Sequence, residues 1–226
     1  MKRFFLAALS VLSTMGVASA QVTPHVPIIS GIEVGANVGT LGIGPVIGYH
    51  PGHALVGVRA EGDFFGISHN FTYRDIDNFR ASAKWRSVGA IADLYPFGSG
   101  LRISAGLKAN LNQLNATASP QDVVYIGNNY YTPQQVGQLN ARVKWNRVTP
   151  YVGFGYSHAF GGHFVFSSDF GALYQGTGRL TYGGTGLAAQ TAQFHSDMDH
   201  YMKDIHKAMR YTKFYPVIAF SLGYRF

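Results

Sequence analysis

The last thirteen residues of the chain, 214–226, alternate between two kinds of side chain. One parity carries large apolar residues: Phe214, Pro216, Ile218, Phe220, Leu222, Tyr224 and Phe226. The other parity is mostly small or polar: Tyr215, Val217, Ala219, Ser221, Gly223 and Arg225. A period of two is the signature of a β-strand whose faces meet different surroundings, and more than about ten such residues cross a bilayer when tilted. The stretch therefore predicts a membrane-crossing strand; a strand of a soluble β-sandwich is the alternative.

The first twenty residues, 1–20, have the pattern of a secretory signal peptide. A basic start precedes an apolar run over residues 4–12, and residues 18–20 form a small-x-small cleavage site. We therefore expect this segment to be removed and residues 21–226 to form one exported domain. No later stretch has the roughly eighteen consecutive apolar residues of a spanning helix, so we expect membrane insertion only as a closed barrel.

Composition narrows the classes of protein further. The chain has no cysteine, which excludes disulfides, thiolate metal sites and a lipidated N-terminal cysteine. Mean hydropathy is near neutral at +0.03, as expected when apolar residues alternate with polar ones. The formal net charge is +7. Nucleic acid is nevertheless not expected as a partner, because the chain carries an export signal and lacks a basic-aromatic binding motif.

Alternation of the same kind predicts eight strands in all. They cover residues 32–39, 43–49, 56–64, 87–94, 101–112, 148–157, 164–175 and 214–226. The connections at 51–53, 96–100 and 160–162 are short, whereas those at 66–82, 113–143 and 177–212 are long. Outer-membrane barrels show this asymmetry, with tight periplasmic turns and long external loops. The predicted fold class is therefore all-β, an eight-stranded antiparallel up-and-down transmembrane β-barrel.

Charged residues share the inward parity of the predicted strands. These residues are Glu33, Arg59, Glu61, Asp63, Asp93, Arg102, Lys108, Asp169 and Arg225. Eight strands enclose a lumen just wide enough for side chains to fill, so we predict a packed ion-pair network inside the barrel. A narrow path for ions or solutes is the functional alternative. The register is strongly specified, because a slip of one residue in 101–112 would place two cations in lipid.

The long connections and the strand ends beside them carry most of the basic residues. The twelve cations are Arg74, Arg80, Lys84, Arg86, Arg142, Lys144, Arg147, Arg179, Lys203, Lys207, Arg210 and Lys213. The six acids are Asp75, Asp77, Asp122, Asp197, Asp199 and Asp204. If the loops face outward, this surplus favours the phosphate-rich headgroups of lipopolysaccharide as a partner. Solvated loop charge is the alternative, and the outward direction of Lys84 and Arg86 is ambiguous.

The last long connection has a helical pattern over residues 187–210. Its apolar residues recur at intervals of three and four, at Phe194, Met198, Tyr201, Ile205 and Met209. This spacing predicts an amphipathic helix that caps the barrel mouth, lies on the membrane interface or enters the lumen. Capping is the simplest of the three placements.

The chain shows no pattern that indicates a cofactor or a catalytic site. His195 and Asp199 lie one helical turn apart, but no third ligand has a fixed position, so we expect no metal. Ser157 and His158 are neighbours in a predicted strand and therefore point to opposite faces, so they do not form a nucleophile and its base. We expect no cofactor and no enzymatic activity.

Several motifs resemble those of a known family. They are Val38-Gly-Thr-Leu-Gly42, Ala92-Asp-Leu-Tyr-Pro-Phe97, Pro150-Tyr-Val-Gly-Phe-Gly155, Asp169-Phe-Gly171, Lys213-Phe-Tyr-Pro-Val217 and Tyr224-Arg-Phe226. The chain resembles the small eight-stranded bacterial outer-membrane β-barrel proteins of the OmpA, OmpX and OmpW kind, within a proteobacterial subfamily that has no assigned activity. The resemblance implies a monomer in the bacterial outer membrane, surrounded by lipid and lipopolysaccharide. It also implies that the barrel-assembly machinery reads Tyr224 and Phe226 as an assembly signal.

These observations lead to a function with two alternatives. We expect a structural or surface-interaction role, such as envelope integrity or contact with lipopolysaccharide or a host. A narrow channel for small or hydrophobic solutes is the first alternative. An enzyme that modifies lipid A is the second.

Overall fold

The structure is a computed structural model that describes residues 31–50, 54–73 and 76–226. The expected signal peptide, the expected turn at 51–53, Arg74 and Asp75 lie outside the described residues. The strands are β1 (Gly31–Gly39), β2 (Gly42–His50), β3 (Val56–Tyr73), β4 (Ile76–Leu94), β5 (Leu101–Asn110), β6 (Gln113–Ala118), β7 (Val124–Ile126), β8 (Asn129–Tyr131), β9 (Leu139–Lys144), β10 (Val148–Phe160), β11 (Phe164–Tyr174), β12 (Arg179–Gly184) and β13 (Phe214–Arg225). The α-helices are α1 (Pro133–Val136) and α2 (Ala192–Met209), and Leu187–Gln190 forms a 3₁₀ turn.

Eight of these strands close into an antiparallel barrel. Around the wall, β1, β2, β3, β4, β5, β10, β11 and β13 each pair with the next, and β13 pairs with β1. At the closing seam, Val38 lies opposite Phe220. Closure removes the free strand edges from the wall, which is what a bilayer requires of a β-structure. The predicted fold class is confirmed, including a helix in the last long connection.

The outer wall of the barrel is apolar and its interior is polar. In β5, the outward Leu107 is 56% exposed, whereas the inward Lys108 is 1% exposed. Soluble proteins show the reverse arrangement, because a lysine rarely loses its water unless it is paired. A wall of this kind suits hydrocarbon outside it, so the alternative of a soluble sandwich is wrong.

The three long connections are more regular than the sequence predicted. β3 and β4 continue as a paired ribbon over residues 66–73 and 76–82, within a connection that we expected to be a loop. β6, β9 and β12, from the other two connections, add to this ribbon in the order β4-β6-β9-β12. We call the sheet formed by residues 66–73 of β3, residues 76–84 of β4, and β6, β9 and β12 the extension sheet. The end of the barrel that bears it is the extension end, and the opposite end is the turn end.

The helix α2 packs beside the extension sheet, against β7, β12 and the 3₁₀ turn. Its contacts form a cluster, called here the loop core, of Ile126, Tyr131, Val136, Ala189, Phe194 and Met198. α2 begins at Ala192 because Thr191 caps it, accepting the backbone N–H of Phe194 at 3.3 Å. Tyr201 and Ile205, predicted on the apolar face, remain 50% and 41% exposed. The described part of the chain holds no helix whose length and apolarity would suit a membrane crossing.

Candidate functional site

The interior of the barrel is built around Arg59, which β3 directs into the lumen. Its Nη1 and Nη2 donate to Oδ2 and Oδ1 of Asp169, both at 2.9 Å. Its Nε lies 3.2 Å from Asp93 Oδ2, and its Nη1 lies 3.6 Å from Glu61 Oε2. One guanidinium therefore meets carboxylates from β3, β4 and β11. The planar fork of arginine suits this task, because it bonds a carboxylate through two parallel hydrogen bonds.

Arg102, on β5, shares two of these carboxylates. Its Nη2 donates to Asp169 Oδ2 at 2.7 Å, and its Nε lies 3.6 Å from Asp93 Oδ1. Its Nη1 also donates to the hydroxyl of Ser157. Asp169 and Asp93 therefore each lie between two arginines, which compensates the repulsion between the two buried cations.

Lys108 is the third buried cation, and it connects the network to a second pair of acids. Its Nζ forms an ion pair with Glu61 and lies 2.9 Å from Asp63 Oδ2. Asp63 also accepts hydrogen bonds from Asn37 Nδ2 at 3.1 Å and Ser87 Oγ at 2.6 Å. These contacts satisfy a lysine that has lost its water, a loss that is costly without paired acceptors.

The structure thus brings seven of the nine predicted interior charges into one continuous network. They are Arg59, Glu61, Asp63, Asp93, Arg102, Lys108 and Asp169. Glu33 makes no ion pair with another described residue, although it faces the lumen at the turn end. Arg225 Nη2 donates instead to the backbone carbonyl of Gly162 at 2.8 Å. Glu33 and Arg225 both lie near the turn end of the barrel. There, backbone carbonyls compete with carboxylates for the guanidinium of Arg225.

An apolar layer that sequence reasoning missed fills the lumen beyond the charges. It consists of Leu41, Ile91, Tyr151, Leu173 and Val217, with Tyr215 against it. Tyr151 lies opposite Leu173, and Leu173 lies opposite Tyr215, so three neighbouring strands contribute at one height. A detectable signal existed in the sequence, because all of these large residues except Leu41, which lies in the turn between β1 and β2, occupy the inward parity of their strands. We call this layer the apolar plug.

Two small cavities flank the charged network. The larger, about 70 Å³, lies at the turn end and is lined by Glu33, Tyr95 and Arg102 among others. The smaller, about 10 Å³, lies toward the extension end, between Lys108 and the apolar plug. Arg59 lines both cavities, so its side chain and its ion pairs separate them.

The two residues predicted as an assembly signal lie at the turn end, on the outer wall. The ring of Tyr224 stacks on His163 at 5.2 Å and meets Phe226 edge to face at 5.2 Å. Phe226 is 76% exposed, and its backbone N–H donates to the carbonyl of Ile32 at 3.0 Å across the closing seam. The aromatic ending is therefore held in the wall with its last ring accessible from outside.

A second site that sequence reasoning missed ties α2 to the hairpin β7–β8. Asp197 Oδ2 accepts from Asn129 Nδ2 and from the hydroxyl of Tyr131, both at 2.7 Å. These hydrogen bonds lower the pKa of Asp197 below its usual value. Burial, together with the nearby carboxylate, raises the pKa of Tyr131 to about 12, so the phenol stays a donor at neutral pH. We call this arrangement the Asp197 anchor.

Within the described residues no metal cluster occurs, and Ser157 does not face its neighbour His158. No group of three or more His, Cys, Asp or Glu residues in residues 31–50, 54–73 and 76–226 is arranged to hold a metal ion. Ser157 is buried in the lumen against Arg102 and Ser167, while His158 is exposed on the outer face.

Six of the twelve loop cations gather on one face of the extension sheet and its junction with the wall. They are Arg80, Lys84, Arg86, Arg142, Lys144 and Arg179, and all six are exposed. We call them the basic face. Lys84 and Arg86, whose direction was ambiguous, point outward, because the upper part of β4 stands beyond the apolar wall.

Comparison with known proteins supports the fold. No protein-family model and no curated protein matches the sequence. The solved structure of CarO2 from Acinetobacter baumannii is similar, with a TM-score of 0.58 and 19% identity over 88% of this chain and 99% of that chain. CarO from the same species has a TM-score of 0.51 and 19% identity over 89% of this chain and 98% of that chain. At this identity the likeness shows a common fold and transfers no function.

Proposed function

We propose that this chain is a non-conducting, non-enzymatic barrel of the bacterial outer membrane with a structural or surface-interaction role. The observation that carries the proposal is the side-chain filling of the lumen, in which the ion-pair network and the apolar plug lie next to each other. Such an interior braces the wall and leaves no continuous aqueous path. The extension end then faces the cell exterior, and the turn end faces the periplasm.

The sizes of the cavities support a closed lumen. A single water needs about 10–15 Å³ of cavity volume, so the smaller cavity, of about 10 Å³, holds one water at most, whereas the larger, of about 70 Å³, holds several. A hydrated ion would have to displace Arg59 from Asp169 and then pass Tyr151 and Leu173. Breaking one buried ion pair costs about 3–5 kcal/mol, so spontaneous opening is rare.

The outer wall supports insertion in a lipid bilayer. Between the level of Arg86 and the turn end, the described outward residues of the eight barrel strands include no Asp, Glu, Lys or Arg. A charge at the midplane of such a wall costs about 2–4 kcal/mol. Lipid and lipopolysaccharide are the proposed surroundings, and the barrel-assembly machinery is the proposed partner of Tyr224 and Phe226. We propose a monomer, since the wall is already closed.

Planar-bilayer recording of the refolded mature protein tests the proposal. We expect no single-channel steps from preparations whose folding is verified by heat-dependent gel mobility. Reproducible steps from the folded protein would overturn the closed-lumen proposal. Mass analysis of lipid A from cells with and without the protein tests the non-enzymatic part, and an altered profile would contradict it.

A narrow channel is a second candidate, and one observation favours it. The larger cavity is lined by Glu33, a carboxylate without an ion pair to another described residue, and it ends at Arg59, which also lines the smaller cavity. In this alternative the Arg59–Asp169 pair acts as a gate. Steps seen with wild type and abolished by Glu33→Gln would favour the channel.

A further inference from the structure

We propose that the basic face binds the phosphate groups of lipopolysaccharide in the outer leaflet. This inference rests on the proposed outer-membrane location and adds a specific site to it. The site is a sheet surface with cations in register, rather than loop charge spread around the mouth.

The register of the extension sheet places the cations in rows. Lys84 lies opposite Gln113, Gln113 opposite Lys144, and Lys144 opposite Arg179. The next row on the same face contains Ser82, Asn115, Arg142 and Thr181. Directly opposite residues share a face of a sheet, and neighbouring strands are about 4.8 Å apart, so each row is a line of donors about 14 Å long. Hydroxyl, amide and cationic donors in this arrangement suit phosphate oxygens.

The cations of the basic face have no acidic partner among the described residues. Arg142 Nε donates to Asn115 Oδ1 at 2.9 Å, and Arg179 Nη2 donates to Asn146 Oδ1 at 3.0 Å. Both acceptors are neutral, so they orient the guanidinium groups and leave their charge uncompensated. Lys144 and Arg179 are like charges directly opposite each other, an arrangement that destabilises a sheet unless an anion lies between them.

The basic face is continuous with the lipid-facing wall. Arg80, Lys84 and Arg86 have the same parity on β4 as Val88 and Leu94, which are exposed on the outer wall. At about 3.3 Å per residue, the cations begin within one residue pair of the apolar surface and extend about 20 Å beyond it. Lipid phosphates lie at this height above the apolar wall. A ligand free in solution would not be concentrated at this height.

The reverse face of the extension sheet is covered on β9 and β12, whereas Phe65 and Ile67 of β3 are 52% and 56% exposed there. Leu139 and Tyr182 pack against the loop core, and Val143 is 8% exposed. The sheet is thus held by packing on one side at β9 and β12, while the side that continues the barrel wall presents six cations to its surroundings. This asymmetry points the basic face at the membrane surface around the barrel.

The test compares two triple variants with the same loss of charge. One removes a row of the basic face, Lys84→Gln with Lys144→Gln and Arg179→Gln. The control removes three exposed cations of α2 and its end, Lys203→Gln with Lys207→Gln and Arg210→Gln. Binding to lipopolysaccharide in mixed detergent micelles is titrated for the folded proteins. We expect the row variant to lose more than about tenfold in affinity and the control to stay within about twofold.

Three further measurements distinguish lipid phosphate from other anions as the ligand of the basic face. Dephosphorylated lipopolysaccharide should bind the wild type as weakly as the intact lipid binds the row variant. Inorganic phosphate at millimolar concentration should not compete, and full competition would assign the site to free phosphate instead. Equal losses in the two triple variants would overturn the proposal by reducing it to net charge. Binding of a DNA oligonucleotide as tight as that of the lipid would also contradict it.

A single charge reversal, Lys144→Glu, tests the same site if the triple variant folds poorly. Lys144→Glu replaces the repulsive pair with Arg179 by an attractive one, so without lipid the thermal midpoint should rise. The same change should lower the affinity for lipopolysaccharide, a combination that a purely structural lysine would not produce. If the basic face does not bind lipopolysaccharide, the proposed function is not thereby contradicted, because conductance measures lumen closure independently.

Discussion

Arg59 on β3 and Asp169 on β11 meet across the lumen through two hydrogen bonds of 2.9 Å. The two strands are four places apart in the eight-stranded ring, on opposite sides of the wall, and the residues are 110 positions apart in the chain. A bidentate pair of this kind defines both distance and orientation. It therefore braces the barrel across its diameter, while Arg102 and Asp93 extend the brace to neighbouring strands.

Removing the shared carboxylate is expected to destabilise the barrel strongly. Asp169→Ala removes the one carboxylate to which both Arg59 and Arg102 donate hydrogen bonds and leaves the two arginines to share Asp93. Removing one partner of a buried ion pair costs about 3–5 kcal/mol. Urea unfolding of the refolded protein in detergent measures it, with the exposed Asp122→Ala as the control. The double variant with Arg59→Ala should cost less than the sum of the two single changes, and strict additivity would contradict the pairing.

The apolar plug should be as sensitive as a soluble core. Leu173→Ala removes a side chain that is 1% exposed and opens a cavity, so we expect a loss of about 2–5 kcal/mol in the free energy of unfolding. Leu107→Ala, on the outer wall, is the matched change and should cost less, because lipid or detergent refills the space. Equal costs would show that Leu173 is not packed in the lumen.

The Asp197 anchor should control α2 without affecting the barrel. Asp197→Ala removes the acceptor of Asn129 and Tyr131, so amides of α2 and of β7–β8 should exchange faster with solvent. Hydrogen exchange read by mass spectrometry measures this, and barrel peptides provide the internal reference. Asp204→Ala, an exposed change on the same helix, should leave exchange unaltered; faster exchange there as well would argue against a specific anchor.

The same anchor should weaken in acid. The pKa of Asp197 is lowered from 3.8, so its carboxylate stabilises the folded loops above that unfolded value. The contribution disappears as the pH falls through the folded pKa. Exchange of α2 amides, corrected for intrinsic rate, should therefore rise below pH 3.8 in wild type. The Asp197→Ala variant should lack this step, and a step of the same size would assign it to another group.

The terminal aromatic residue should affect assembly rather than stability. Phe226 is 76% exposed at the turn end, so Phe226→Ala should change the unfolding free energy little but reduce the amount of folded protein in the outer membrane. Phe214→Ala, at the other end of β13 and 65% exposed, is the matched control. A normal membrane level of Phe226→Ala would contradict an assembly role.

Much of the barrel was predictable because its signal is local. Successive side chains of each strand point alternately to lipid and to the lumen. The directions of Leu107 and Lys108 therefore follow from the alternation of apolar and polar residues in the sequence. The extension sheet lacked this signal. Small and polar residues such as Ala81, Ser82 and Ala83 occupy both parities there, and one of the two strands that pair with them, β6, lies in another connection.

The candidate site was predictable only in part. Its charges could be named from parity, but parity does not say which of them meet. Glu33 and Arg225 share that parity and lie outside the ion-pair network, and the apolar plug and Asp197 gave no charge pattern to follow.

Sequence alone determined the architecture of this protein: eight alternating strands, cations and acids on the inward side, and a helix near the end. Those properties depend on neighbours in the chain and on the solvent at each face. Tertiary structure alone decided the pairing of Arg59 with Asp169, the packing of the apolar plug beside them and the alignment of Lys84, Lys144 and Arg179 in one row. These contacts depend on strand register and on the diameter of the closed ring, which no local pattern specifies.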